Sequence, residues 1–189
     1  MIRLAAALLL AWAVLAAGCS AWEPVPQGSR HDGPGKSYAV ELPAGWLRSR
    51  GKSDLVRLTR DGFALEEIVI MRNPQKKPFV RLKKPVTADM LPSELAELQL
   101  ADFERESETL AAARVIAMAP AQVGGRGGFR LHIAWTNDDG LPLGRVVYGV
   151  CDKDHYYMLG FEAPHLHYFD KHLPAFEAMV ASFRLAAPP

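Results

Sequence analysis

Phe129-Arg130-Leu131-His132-Ile133-Ala134-Trp135-Thr136 alternates apolar and polar side chains almost without a break. A period of two over that length is the pattern of a β-strand with one face on a core. Asp138-Asp139-Gly140 then supplies a turn, and Val146 to Cys151 follows as a second apolar run. Asp152-Lys153-Asp154 turns the chain again into Tyr156 to Glu162. Strands joined by tight turns in this way make an antiparallel meander. Upstream, Gly124-Gly125-Arg126-Gly127-Gly128 reads as a turn in which glycine accepts positive φ. No helix follows it, so it is not a phosphate loop.

The flanking chain completes a sheet and adds helices. Tyr38-Ala39-Val40-Glu41-Leu42-Pro43 alternates as a strand, and Pro43-Ala44-Gly45-Trp46 turns an aromatic ring back onto it. Leu55 to Thr59 and Ala64 to Met71 read as two further strands, joined at Arg60-Asp61-Gly62, where Asp-Gly signals a hairpin. Asn73 to Pro85, rich in Pro and Lys, is a loop. Leu91, Leu95 and Leu98 have helical spacing, which predicts a helix from Leu91 to about Glu108 with Pro92 in its first turn. Val115 to Met118 reads as a short strand before Pro120. Phe169, Leu173, Phe176, Val180 and Phe183 lie on one face of a final helix, and Pro174 puts the start of its regular part nearby. The class is α+β: an α/β/α sandwich around an antiparallel sheet of about six or seven strands, with helices packed on its faces.

The N-terminus sets location. One charge, Arg3, precedes an unbroken apolar run from Leu4 to Ala17, too short for a spanning helix of ~20 residues and typical of a signal-peptide core. Leu15-Ala16-Ala17-Gly18-Cys19 resembles the lipobox of bacterial lipoproteins. The resemblance implies that residues 1–18 are a signal peptide and that Cys19 is acylated on its thiol and then its amino group, with palmitate-type chains. Two or three such chains hold a protein on a bilayer permanently, whereas one does not. Ser20, not Asp, follows the cysteine, which resembles the sorting signal for an outer membrane and implies a domain facing the periplasm. Residues 19–35 carry Pro24, Pro26, Gly28, Gly33, Pro34 and Gly35 and read as a flexible membrane tether with too little apolar surface to fold. That leaves 36–185 as one domain and 186–189 as a C-terminal tail.

Composition removes some function classes. The chain has 189 residues, 49% hydrophobic and 23% charged, ordinary for a globular protein with a real core. It has 22 Lys+Arg, of which Arg3 belongs to the leader, against 21 Asp+Glu, so the mature chain is neutral. No global field draws in nucleic acid. If Cys19 carries lipid, Cys151 has no partner for a disulfide.

A wider resemblance follows from these pieces. Tyr38 to Trp46, the Gly-containing turn from Gly124 to Phe129, and the closing helix Phe176 to Arg184 with Ser182-Phe183-Arg184 resemble the PsbP-like superfamily. That group includes the photosystem extrinsic protein PsbP, a Ran-binding Mog-type factor and bacterial DcrB-like lipoproteins. The resemblance implies a sandwich around an antiparallel sheet, a protein-binding role, and no shared active site.

Candidate sites are few. His165, His167 and His172, with Asp170 nearby, are the residues of the type that bind zinc or copper, although a loop leading into a helix has no regular geometry that converges them. Cys151 with His155 and Asp152 straddles a tight turn and reads as a buried strand cysteine instead of a nucleophile. Ser29, Ser37 and Ser53 lack a nucleophile-elbow context. Glu66-Glu67 and Asp138-Asp139 are adjacent pairs whose side chains diverge. Arg72, Lys76, Lys77, Arg81, Lys83 and Lys84 form an acid-free basic stretch, an interaction surface for anionic lipid or an acidic partner. The expectation is a non-enzymatic envelope lipoprotein, held on the bilayer through Cys19, needing no cofactor, and serving protein binding or envelope and secretion work. The alternative is a metal-binding or enzymatic periplasmic protein built on His165, His167 and His172.

Overall fold

A computed structural model describes residues 21–51 and 54–186; Cys19 and the signal segment lie outside the described residues. The elements run β1 (Trp22–Pro24), β2 (Arg30–Asp32), β3 (Tyr38–Glu41), β4 (Leu47–Ser49), β5 (Leu55–Thr59) and β6 (Glu67–Pro74). They continue with α1 (Pro92–Phe103), α2 (Glu108–Ala111), β7 (Arg114–Val123), β8 (Arg126–Thr136), β9 (Pro142–Cys151), β10 (His155–Pro164), α3 (Tyr168–Ser182) and β11 (Arg184–Leu185). The main sheet has eight strands in the order β1-β4-β5-β6-β10-β9-β8-β7, and β11-β3-β2 form a small second sheet. All of these strand pairs are antiparallel.

The meander lies where the alternation predicts. β8 pairs β9 with Leu131 opposite Val147, and β9 pairs β10 with Val147 opposite Gly160. Gly124 and Gly125, at φ 62° and 86°, close the two-residue β7–β8 hairpin, a primed turn whose twist matches its strands. Phe129, Leu131, Ile133 and Trp135 pack with Leu95, Ala96 and Phe103 of α1. The opposite face of the sheet presents Val146, Tyr148, Leu159 and Phe161 to Phe169, Phe176 and Val180 of α3. Central strands are therefore buried on both faces, which is why Tyr156 to Phe161 reads as one apolar run. Phe161 stacks on Phe169 at 5.6 Å and on Phe176 at 5.7 Å; each such pair contributes ~0.5–1.5 kcal/mol beyond burial.

Five boundaries depart from expectation. Residues 21–35 are not a free tether, because β1 pairs β4 and β2 pairs β3. Val25 is buried, its N–H donating to Trp46 O at 2.8 Å. Proline and glycine exclude helix here but not short edge strands, and Gly33 is needed because a Cβ would lie 2.2 Å from the Tyr38 ring. β7 runs through Pro120 to Val123, which an edge strand allows because its outer N–H groups need no partner. β6 starts at Glu67, since Leu65 and Glu66 N–H both donate to Gly62 O and coil the preceding residues. The last helix starts at Tyr168 with Pro174 inside it, and the burial of Phe169 and His172 supports the turns before the proline. The predicted long helix divides into α1 and the short α2, whose Ser107 Oγ accepts from Leu110 N–H. Among the described residues no helix is long and apolar enough to cross a membrane.

Candidate functional site

A pocket of about 200 Å³ opens between α1, the loop leading into it, and the main sheet. Its floor is Val69 and Met71 of β6, Val147 of β9, and Met158 and Gly160 of β10. These positions face α1, but α1 packs mainly over β7, β8 and β9 and leaves β6 and β10 to the loop. That loop is held by chemistry, not by regular structure. Asp102 on α1 is 3% exposed, and its carboxylate accepts the backbone N–H groups of Arg81 and Leu82, each at 2.7 Å, and of Val80 at 3.4 Å. Phe79, Leu82 and Val86 are buried beneath it.

Polar groups inside the pocket pair with one another. Tyr156 O–H donates to Gln99 Oε1 at 2.7 Å, and burial drives the Tyr156 phenol far above its ordinary range. At the rim, Arg145 donates to Glu162 at 2.7 Å and to Glu106 at 3.2 Å, and lies 4.5 Å over the Phe103 ring. Burial alone would lower the Arg145 pKa, but the two carboxylates outweigh it and raise it. Arg81 adds a contact of 3.4 Å to Glu106. Val80 stands 64% exposed beside this rim. The pocket thus combines an apolar floor with a rim of Arg81, Arg145, Glu106 and Glu162, the composition of a ligand-binding cleft.

The residues singled out in the sequence fall elsewhere. His165 packs its ring on Phe169 at 4.7 Å, and His167 is the N-cap of α3 with φ 78°. His172 lies 2% exposed in α3 and faces Asp61 and Glu66, so the structure does not bring the three histidines together. Cys151 is buried on β9, and burial, with Asp152 beside it, pushes its thiol up to about 12. The Asp152 carboxylate is occupied by the N–H groups of Asp154 and His155 and by Tyr157 O–H. Of the basic stretch, Lys76, Lys77, Lys83 and Lys84 are exposed. Arg72 belongs to β6, paired with Asp54 at 2.7 Å, and Arg81 belongs to the pocket rim, so neither is part of a free basic surface. Sequence reasoning missed the pocket because its floor and roof come from four separate segments. It also missed Glu66, which diverges from Glu67 as expected but meets Asp61, five residues before it, and the sequence-distant His172.

The start of β1 and the lysines share one end of the sheet. Trp22 pairs with Ser49, and Arg50 N–H donates to Ala21 O at 2.8 Å. β4 and β5 carry that register across to Leu55 opposite Met71. Trp22, the first residue of β1, therefore lies toward the end of the sheet where β6 gives way to Lys76 and Lys77.

No protein-family model and no curated protein matches the sequence. Solved structures do. The solution structure of cyanobacterial PsbP from Synechocystis sp. PCC 6803 superposes with TM-score 0.56 at 12% identity, over 90% of this chain and 95% of that one. The fold is PsbP-like. Mog1p, a Ran-binding protein of Saccharomyces cerevisiae, gives 0.50 at 10% identity over 83% and 94% of the two chains. LpqN of Mycobacterium tuberculosis, described as involved in cell envelope biogenesis, gives 0.52 at 12% over 88% and 91%. A longer chain from Bacteroides thetaiotaomicron gives 0.53 at 10% over 85% of this chain and 49% of its own length, so this chain spans about half of it.

Proposed function

We propose that the chain is a lipid-anchored lipoprotein of the bacterial cell envelope, acylated at Cys19, sorted by Ser20 to the outer membrane and facing the periplasm. In this reading its PsbP-like domain is a non-catalytic module that holds a protein partner by an apolar side chain seated in the α1 pocket. The observation that carries the binding role is the pocket itself, with its apolar floor and internally paired rim. LpqN, with the same fold and a described part in envelope biogenesis, is in keeping with that setting.

The ordered segment from Ala21 changes how such a domain sits. Only Ser20 and Ala21 separate Cys19 from Trp22, and extended chain spans at most about 11 Å over those three steps. The domain then lies against the bilayer, with the Lys76 and Lys77 end of the sheet toward it. Each lysine near an anionic surface contributes ~1 kcal/mol, and both acyl anchor and basic loop act at one end.

A photo-crosslinking residue at Val80 of the full lipidated chain tests the binding role in intact envelopes. A discrete protein adduct that Gly160→Leu removes, by filling the pocket, is the expected result. No adduct, or one indifferent to Gly160→Leu, overturns it.

A further inference from the structure

We propose that Asp61, Glu66 and His172 form a binding site for a divalent transition-metal ion of the zinc class. His172 Nε2 lies 3.3 Å from Glu66 Oε2 and 3.4 Å from Asp61 Oδ2. All three donor atoms fall within 4.8 Å of one another, the one grouping of its kind among the described residues. Zinc binds imidazole nitrogen and carboxylate oxygen at ~2.0–2.2 Å. In a tetrahedron of that size, neighbouring ligand atoms stand about 3.3–3.6 Å apart. The two nitrogen–oxygen edges fall within that range.

The second observation is what these atoms lack. Glu66 and His172 are each 2% exposed, yet Glu66 Oε2 and His172 Nε2 face each other with no hydrogen-bond partner. Buried polar atoms are nearly always paired, and these two are aimed at the point that Asp61 Oδ2 also faces. Everything around them fixes that aim. Asp61 N–H donates to Glu66 Oε1 at 3.0 Å, leaving Oε2 as the free oxygen. Thr59 Oγ1 donates to Glu66 O at 2.9 Å and accepts from Gly62 N–H at 3.0 Å, locking the β5–β6 connection. Trp46 packs edge-on against the His172 ring at 5.6 Å.

Asp61 is the solvent-facing ligand, and its side chain, 37% exposed, gives the ion an entry path. Water completes the coordination. Lys171 Nζ stands 3.6 Å from Asp61 Oδ2, as a cation already drawn to the same oxygen, and turns away when metal binds. The ion ties α3 to the β5–β6 connection across the sheet face opposite the pocket. This site stands independently of the pocket reading.

The test is calorimetric titration of the full chain, in detergent and without a His tag, with ZnCl₂, alongside Co²⁺ loading read by visible absorption. One equivalent of zinc per chain and a tetrahedral cobalt spectrum are expected. Asp61→Asn and Glu66→Gln should each weaken zinc binding at least ten-fold, while His165→Ala leaves it unchanged. If Glu66→Gln fails to fold by circular dichroism, Asp61→Asn, on the exposed loop, decides. Absence of stoichiometric zinc in the wild-type chain overturns the site, leaving a buried acid–base pair only. So does zinc that survives Asp61→Asn, or that His165→Ala abolishes.

Discussion

Two glycines on the same sheet face should respond oppositely to the same methyl group. A Cβ at Gly160 points into the pocket, where its nearest neighbours are Val147 Cγ2 at 3.7 Å and Met158 Cε at 3.8 Å, ordinary contact distances. A Cβ at Gly149, on the neighbouring strand, would lie 2.3 Å from Phe129 Cε1 and 2.7 Å from Tyr156 O–H. Both of those rings are buried and fixed. Gly160→Ala loses no contact and narrows the unfolded ensemble, so it should stabilise by about 0.4–1 kcal/mol. Gly149→Ala forces a closed core apart and should cost about 1–3 kcal/mol. Urea unfolding of the full chain in detergent, with unchanged slopes, measures both. The midpoints should move in opposite directions, with unfolding free energies differing by about 1.4–4 kcal/mol. Equal losses in the two variants would refute the pocket, because they would mean that the space above Gly160 is filled.

Asp102→Ala removes one acceptor for three backbone N–H groups; it should cost about 1–3 kcal/mol and open the 75–91 loop to limited proteolysis, seen as a single new cleavage region. Reversing Lys76, Lys77, Lys83 and Lys84 to Glu should abolish binding of the lipid-free chain to anionic vesicles at low salt, with thermal stability nearly unchanged; binding that persists, or never occurs, returns these lysines to simple solvation. The Cys151 thiol, raised from 9.0 to about 12 in the fold, should resist alkylation at pH 9 until urea is added, as read by mass on its peptide. The sign follows: the unfolded chain loses that proton first, so the fold loses stability as pH climbs from about 9 toward 12.

What the sequence makes legible is periodic. The Phe129 to Trp135 alternation, the Gly124-Gly125 turn and the one-sided final helix each appear where local pattern dictates, because a sheet face or helix stripe must meet a core. Residues 21–35 show no legible strand because segments this short carry no period, and their order comes from pairing with β4 and β3. Pro174 does not bound the helix because tertiary burial of Phe169 and His172 outweighs one missing backbone hydrogen bond. The pocket and the Asp61, Glu66 and His172 grouping depend on contacts between segments far apart in the chain. No spacing rule announces them. His172 did carry a signal, a histidine on the apolar stripe of a helix, but its partners were hidden in a turn.

The claim on which location and orientation depend is the anchor at Cys19. Intact-mass and N-terminal fragment spectrometry of the full-length gene product, extracted from bacterial envelopes, tests it most directly. The account predicts a chain that begins at Cys19, with diacylglycerol on its thiol and a further acyl chain on its amino group. A mature chain that begins elsewhere, or carries an unmodified Cys19, would contradict it.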